Sequence, residues 1–281
     1  MRWQGRRESR NVEDRRSVGQ QVVVGGGLLT LAIMVAAIAF PDLVPVLKLF
    51  EAAPAARQAA PAKPVDDEIG KFIRTVVADN EDVWTKIFPQ AFSRRFTPAQ
   101  LVMFTGRVQS GCGIADAGAG PFYCPLDKKV YIDPLFYEDL KRRFGASGEF
   151  AHAYVIAHEF GHHIQNQLGI SQRVQALQGR VSQADYNKAS VRLELQADFL
   201  AGVWAHHMAR YEGILDEKDI RDAVNAAAAI GDDRIQKTTQ GYIQPEKFTH
   251  GTSEQRVRWF MYGLQKGDPS LLEYAFEVDT P

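Results

Sequence analysis

The run His158-Glu159-Phe160-Gly161-His162 constrains the fold more than any other feature of the sequence, because it matches H-E-x-x-H inside a predicted helix at 149–168. Residues four apart lie on one face of a helix, so His158 and His162 can bind the same metal ion. Glu159 lies beside the first histidine and can reach a water molecule at that metal without binding the metal itself. A helix in which the two histidines coincide by chance is the alternative.

A second predicted helix carries a candidate third ligand, which a catalytic zinc site needs. Glu194 and Asp198 are four residues apart on an otherwise apolar face that includes Val191 and Phe199. Unpaired charge on such a face is costly, which favours a role for both carboxylates. We expect Glu194 to complete a Zn²⁺ site with the two histidines, and Asp198 to accept a hydrogen bond from one of them. An exposed carboxylate pair that interacts with Arg192 is the alternative.

His250 is a further candidate for the chemistry, because it lies in a non-helical segment just before a predicted helix that contains Arg256. A histidine in such a loop can donate a hydrogen bond to the oxyanion of a tetrahedral intermediate. From the residues alone, a surface histidine is the alternative. His163 follows the second histidine of the motif by about 100° around the helix, so it is predicted to be structural.

Residues 17–41 carry no charged side chain and include an apolar run at 22–40. A helix of that length reaches roughly 28 Å, close to the hydrocarbon thickness of a bilayer. Residues 1–16 contain six arginines and three acidic residues, and positive charge marks the cytoplasmic side of a span. These features predict a single-pass membrane anchor with a cytoplasmic N-terminus and an extracytoplasmic (periplasmic or extracellular) domain. A buried core helix and a signal peptide cleaved near Ala39 are the alternatives.

The rest of the sequence predicts a linker and one domain. Residues 42–65 are rich in proline and alanine, which is typical of a semi-extended tether. Residues 66–281 are expected to form a mostly helical α+β domain, with short strands at 122–124 and 129–132. The chain has 33 Lys+Arg against 34 Asp+Glu, so its charge gives no support for a nucleic-acid partner.

Cys112 and Cys124 are the two cysteines of the chain, and they flank a glycine-rich segment. Two cysteines are too few for a zinc ribbon, which needs four ligands. In an oxidising compartment, a disulfide between them would restrain this segment and contribute about 3 kcal/mol. Two free buried thiols are the alternative, because the sequence does not show whether the pair is close in space.

These motifs together resemble the neutral zinc metallopeptidase family of bacteria, which is similar in plan to the gluzincins. The likeness covers almost the whole chain and is carried by residues 1–7, the segment 112–125, the H-E-x-x-H motif, the run 194–198 and the run 250–256. The resemblance implies a zincin-like metalloprotease domain in which Glu194 is the third zinc ligand and Asp198 supports a ligand histidine. It also implies a catalytic role for His250 and a substrate-binding edge strand at 129–132.

The residues and the resemblance predict a membrane-tethered zinc endopeptidase that acts on protein or peptide substrates. In this hypothesis His158, His162 and Glu194 hold Zn²⁺, and Glu159 is the general base for a zinc-activated water. The alternative is a zinc-binding scaffold or interaction domain without turnover. Structural zinc sites usually have four protein ligands, and three are found here, which favours the enzyme.

Overall fold

The computed structural model of the chain describes residues 1–16, 67–116, 120–137 and 148–278. The chain divides into two units, one of Met1–Asp14 with Val65–Pro281 and one of Arg15–Pro64. The apolar run at 22–40 and the proline-rich linker at 42–65 lie outside the described residues. Within the described ranges, no helix combines the length and the apolarity that crossing a bilayer needs.

The described residues form a mostly helical α+β structure with small sheets, as the sequence predicts. The strands are β1 (Val12–Asp14), β2 (Gln100–Met103), β3 (Arg107–Ser110), β4 (Gly113–Asp116), β5 (Phe122–Cys124) and β6 (Lys129–Ile132). The α-helices are α1 (Glu68–Phe92), α2 (Glu149–Leu168), α3 (Ile170–Gln175), α4 (Gln183–Glu212), α5 (Glu217–Ala229), α6 (Asp232–Gln240), α7 (Ser253–Lys266) and α8 (Tyr274–Glu277). Two 3₁₀ helices are Pro245–Lys247 and Pro269–Glu273.

Four strands form a mixed sheet in the order β1-β2-β6-β5, and β3 and β4 form a separate antiparallel hairpin. Strands β1, β2 and β6 are parallel, whereas β5 is antiparallel to β6. Strands 122–124 and 129–132 are therefore confirmed. The expectation that 129–132 is an edge strand is wrong, because β6 lies between β2 and β5.

The two faces of the sheet pack against different parts of the protein. Leu101 and Met103 belong to the main core with the helices, whereas Val102 and Phe104 pack in a smaller cluster with Val108 of the hairpin. This alternation follows from the period of two of a β-strand. A disulfide joins Cys112, just before β4, to Cys124 at the end of β5, as predicted, and so ties the hairpin to the sheet.

Residues 1–14 are part of this domain, whereas the sequence predicts that residues 1–16 are separate from it. Val12 pairs with Leu101, which adds β1 to the sheet. Trp3 is buried in the main core, where its ring meets that of Phe72 at a centroid distance of 5.6 Å. Basic side chains of the same segment bind acidic residues of α1, so the charge that suggested a separate cytoplasmic segment serves in part to hold it to the domain.

The helices that carry the site have clear sequence boundaries. Helix α2 has the predicted bounds and ends at Gly169, which adopts a left-handed conformation with φ 79°. Helix α7 begins with a capping box in which the Thr252 and Gln255 side chains each bind the other residue's backbone N–H. Helices α4 and α7 approach closely because Gly202 and Gly263 face each other's helix. A Cβ at Gly263 would lie 2.0 Å from the carbonyl oxygen of Phe199.

Candidate metal centre and active site

Helices α2 and α4 bring His158, His162 and Glu194 together. His158 Nε2 lies 3.2 Å from Glu194 Oε2, and His162 Nε2 lies 3.4 Å from Glu194 Oε1. One potential ligand atom of each residue lies within 4.8 Å of the corresponding atoms of the other two. The structure therefore brings the three predicted ligands together.

This geometry fits a zinc ion. Ligand atoms that share a tetrahedral zinc at bond lengths of about 2.0–2.1 Å are about 3.3 Å apart. The distances of 3.2 and 3.4 Å from the glutamate oxygens to the two imidazole nitrogens match that separation. Two imidazoles and one carboxylate are also a ligand set of catalytic zinc sites, in which a fourth position stays open.

The close approach of α2 to α4 depends on Gly161, inside the H-E-x-x-H motif. A Cβ at this position would lie 3.0 Å from both the Cα and the carbonyl oxygen of Ala197. Ala197 is three residues after Glu194 and one before Asp198. A small residue on each helix therefore lets the two histidines meet the two carboxylates.

Asp198 lies behind His158, as predicted. The Nδ1 atom of His158 is 2.8 Å from Asp198 Oδ1. A hydrogen bond from Nδ1–H to this carboxylate fixes the tautomer in which Nε2 has a free lone pair, and Nε2 is the atom that faces Glu194. Asp198 is fully buried and also accepts a hydrogen bond from the Tyr154 hydroxyl.

Arg256 neutralises this buried carboxylate, a role that the sequence analysis missed. Its Nε donates to Asp198 Oδ2 at 2.8 Å, its Nη2 donates to Asp198 Oδ1 at 3.0 Å, and its Nη1 donates to the Ile230 carbonyl at 3.2 Å. Burial raises the pKa of Asp198, but Arg256 and His158 lower it more strongly, so the pKa lies below its ordinary value. The sequence signal was the place of Arg256 in the run 250–256.

Gln165 orients the second histidine and was also missed. The Nδ1 atom of His162 lies 2.8 Å from Gln165 Oε1. The Gln165 Nε2 donates to the Leu193 carbonyl and to Gln196 Oε1, which fixes its amide group. His162 and Gln165 are three residues apart on α2, a spacing that places side chains on one face. The neighbouring His163 has the predicted structural role, with Nε2 2.7 Å from the Thr97 carbonyl.

The charged side chains of the cluster stabilise one another. Burial lowers the pKa of His158, but Asp198 and Glu194 raise it to about 9. Burial raises the pKa of Glu194, but His162 and His158 bring it well below its ordinary value. Burial likewise lowers the pKa of His162, but Glu194 raises it above its ordinary value. Because a metal ion binds an imidazole through an unprotonated nitrogen, a divalent cation would compete with protonation at the Nε2 atoms that face Glu194.

His250 lies in a loop that packs next to Glu194. Gly251 has φ +87°, and a Cβ there would lie 3.2 Å from Val191 and 3.3 Å from Leu195, which flank Glu194 on α4. Asp232 holds this loop, because its Oδ2 accepts the backbone N–H of His250 at 2.6 Å and its Oδ1 lies 3.1 Å from the His250 Nδ1. The imidazole remains about half exposed.

The fold and the site define a class: a mostly helical α+β protein with a buried H-E-x-x-H helix and a glutamate on a second helix as third potential ligand. The chain belongs to the family described as "Putative neutral zinc metallopeptidase", which matches residues 1–273. This family was expected from the motifs, and the match confirms that expectation.

Two relatives extend the comparison. The chain is 45% identical over 283 residues to "Uncharacterized protein YpfJ" of Escherichia coli strain K12, which covers 96% of this chain and 97% of the relative. It is 44% identical over 218 residues to "Uncharacterized protein Rv2575" of Mycobacterium tuberculosis, which covers 73% of this chain and 71% of the relative. No solved structure matches the chain. Neither relative's name states an activity, so activity is argued from the site.

Proposed function

We propose that the protein is a zinc-dependent endopeptidase. The observation that carries the proposal is the convergence of His158, His162 and Glu194, with Glu159 next to the first histidine on the same helix. Three protein ligands leave a position for water, as in catalytic zinc sites. When bound, zinc polarises the peptide carbonyl and lowers the pKa of bound water to about 7.

Glu159 is the general base in this proposal. Its carboxylate takes the proton of the attacking water and then transfers it to the departing amine of the cleaved peptide bond. The buried position of Glu159 supports this role, because water exclusion strengthens the electrostatic interactions of a base. Asp198, Arg256 and Gln165 do not touch the substrate. They position the ligand imidazoles.

His250 donates a hydrogen bond to the oxyanion that develops on the peptide carbonyl. Its half-exposed imidazole, and the packing of its loop against Val191 and Leu195 on either side of Glu194, support this role. Asp232 binds Nδ1, which leaves Nε2 as the donor toward the substrate. The hydrogen bond to Asp232 raises the pKa of His250 above its ordinary value, which favours the protonated, donating form.

The substrate would pair with β5 rather than with β6. β5 is an outer strand of the four-stranded sheet, and its Tyr123 hydroxyl contacts α2 through Asn166 Nδ2 at 2.9 Å and His163 Nδ1 at 3.1 Å. Among the described strands, β5 pairs only with β6, and its Tyr123 side chain contacts the helix that carries His158 and His162. An extended peptide can bind such an edge through main-chain hydrogen bonds, which recognise protein or peptide substrates with little dependence on sequence.

Association with a membrane, and a location of the domain outside the cytoplasm, are also proposals. The length and lack of charge of the run at 22–40 support membrane association. The disulfide between Cys112 and Cys124 supports an oxidising compartment, where such bonds persist.

Metal analysis combined with a peptide-library assay tests the proposed activity. We expect the purified full chain to contain zinc and to cleave peptides within their sequence, and chelation to stop the cleavage. Bound zinc without cleavage of casein or of any library peptide would contradict the proposal and favour a zinc-stabilised scaffold or interaction domain.

A further inference from the structure

We infer that residues 1–14 stay in the mature protein and lie on the same side of any membrane as the metal centre. The chain then crosses a bilayer an even number of times, or not at all, between residues 16 and 67. This topology differs from a single-pass anchor and from a cleaved signal peptide. It rests on the packing of the N-terminal segment and is independent of the proposed catalytic activity.

The backbone of the segment is built into the sheet. β1 pairs in parallel with β2 through Val12 opposite Leu101 and Asp14 opposite Met103. The Leu101 N–H donates to the Asn11 carbonyl at 2.8 Å. β1 and α1 lie on either side of residues 17–66 in the sequence. Both belong to the same compact unit of the chain.

Apolar packing adds to the strand pairing. Trp3 is 6% exposed and packs edge-to-face on Phe72, which is itself buried in α1. Burial of a large aromatic side chain stabilises a fold relative to leaving it exposed to water. Removal of the N-terminal segment would expose this part of the core to water.

Buried acidic residues of α1 are matched to polar groups of the segment. Glu81 accepts hydrogen bonds from Ser9 Oγ and Asn11 Nδ2, both at 2.6 Å, and Arg7 Nη2 lies 3.1 Å from it. Asp79, on the same helix, pairs with Arg6 at 2.8 Å. Buried carboxylates are costly unless they are paired, so the sequence of α1 is suited to a segment that remains bound.

These contacts restrict the topology. A single crossing by residues 17–41 would put Trp3 and Phe72 on opposite faces of the bilayer, and β1 could not pair with β2. Cleavage near Ala39 would remove Trp3 and β1 altogether unless the fragment stayed bound. An even number of crossings, or an insertion that enters and leaves the same face of the bilayer, keeps the N-terminal segment in contact with the rest of the domain.

Paired cysteine labelling tests the sidedness directly. Gln4 and Gln178 are exposed positions in the N-terminal segment and between α3 and α4. Gln4→Cys and Gln178→Cys would each be made in the full chain together with Cys112→Ser and Cys124→Ser. Spheroplasts that contain each variant would be treated with a membrane-impermeant maleimide before or after permeabilisation. We expect the two positions to behave alike, both labelled before permeabilisation or both only after it. Labelling of one position before and the other only after permeabilisation would overturn the inference.

A second measurement does not need the cysteine-free background. A site for a sequence-specific protease would be inserted in 42–65 of the full chain, and the detergent-solubilised protein would be cut there. We expect the N-terminal fragment to elute with the domain in gel filtration, and to be lost to a large extent when Trp3→Ala and Arg6→Glu are combined. Complete release of the fragment from the cut protein without denaturant would overturn the inference.

Discussion

Arg256 forms a two-point hydrogen bond with Asp198, from Nε at 2.8 Å and from Nη2 at 3.0 Å, directly behind the imidazole of His158. Both partners are fully or nearly fully buried. The positive charge of the arginine thus keeps Asp198 ionised, and the ionised carboxylate keeps the proton of His158 on Nδ1. This relationship links α7 to the candidate metal site through one carboxylate.

Replacing Arg256 with methionine should destabilise the fold by about 3–5 kcal/mol, because it leaves a buried carboxylate without its partner. Denaturant unfolding of the metal-free chain measures this loss. The control is Arg256→Met combined with Asp198→Asn, which removes the unpaired charge and should recover part of the free energy of unfolding. An Arg256→Met protein with an unchanged unfolding midpoint would show that the pair does not have this role.

Gly263→Ala should cost about 1–3 kcal/mol or more through overpacking, because its Cβ would lie 2.0 Å from the Phe199 carbonyl oxygen. Gly161→Ala is the matched control in the helix pair α2 and α4, because a Cβ at Gly161 would lie 3.0 Å from its nearest neighbours. The better helix propensity of alanine offsets part of the strain there. Thermal unfolding of both variants should give a much larger loss for Gly263→Ala. Equal losses would contradict the packing described for α4 and α7.

The stability contributed by His250 should depend on pH. The hydrogen bond to Asp232 raises the pKa of His250, so its contribution is fully present below the ordinary histidine pKa and is lost as pH rises through the raised value. Burial raises the pKa of Asp232, but the hydrogen bonds from His250 outweigh burial and bring this pKa below its ordinary value. The stability that Asp232 contributes is therefore lost as pH falls through the lowered pKa.

The difference in unfolding free energy between the unmodified chain and His250→Gln should therefore be greatest in weakly acidic solution and should decline toward alkaline pH. Urea unfolding over a series of pH values measures it. The same substitution in an Asp232→Asn background is the control and should show little pH dependence. A difference that grows as pH rises would contradict the pairing.

The convergence of the candidate ligands could be predicted from the sequence because its signals are local. His158 and His162 are one turn apart on one helix, and Glu194 and Asp198 interrupt an apolar face one turn apart on another. Each pair is visible within five residues of sequence. Their convergence needed only that two helices pack face to face.

The parts that sequence analysis missed depend on long-range contacts. Arg256 meets Asp198 from 58 residues away, and no local pattern shows which buried carboxylate an arginine will neutralise. β1 was missed because the arginines of residues 1–16 indicated a separate cytoplasmic segment, whereas acidic side chains of α1 bind two of these arginines. β6 was expected at an edge because the family resemblance implied an edge strand there, and the strand's own sequence does not show its place in the sheet.

Removal of zinc should lower thermal stability. A ligand that binds the folded chain at a concentration 100 times its Kd stabilises it by about 2.7 kcal/mol. Chelator treatment should therefore lower the Tm of the full chain, and added zinc should restore it. His158→Ala is the control, and its Tm should not respond to either treatment. A response of the variant equal to that of the unmodified chain would place the zinc elsewhere.

Peptide cleavage by Glu159→Gln, measured together with its zinc content, tests the central claim most directly. Glutamine keeps the shape of the side chain and cannot act as a base, whereas the ligands His158, His162 and Glu194 are untouched. We predict one zinc per chain in both the unmodified protein and the variant, with cleavage of library peptides by the unmodified protein alone. Full cleavage by a zinc-loaded Glu159→Gln protein would contradict the account.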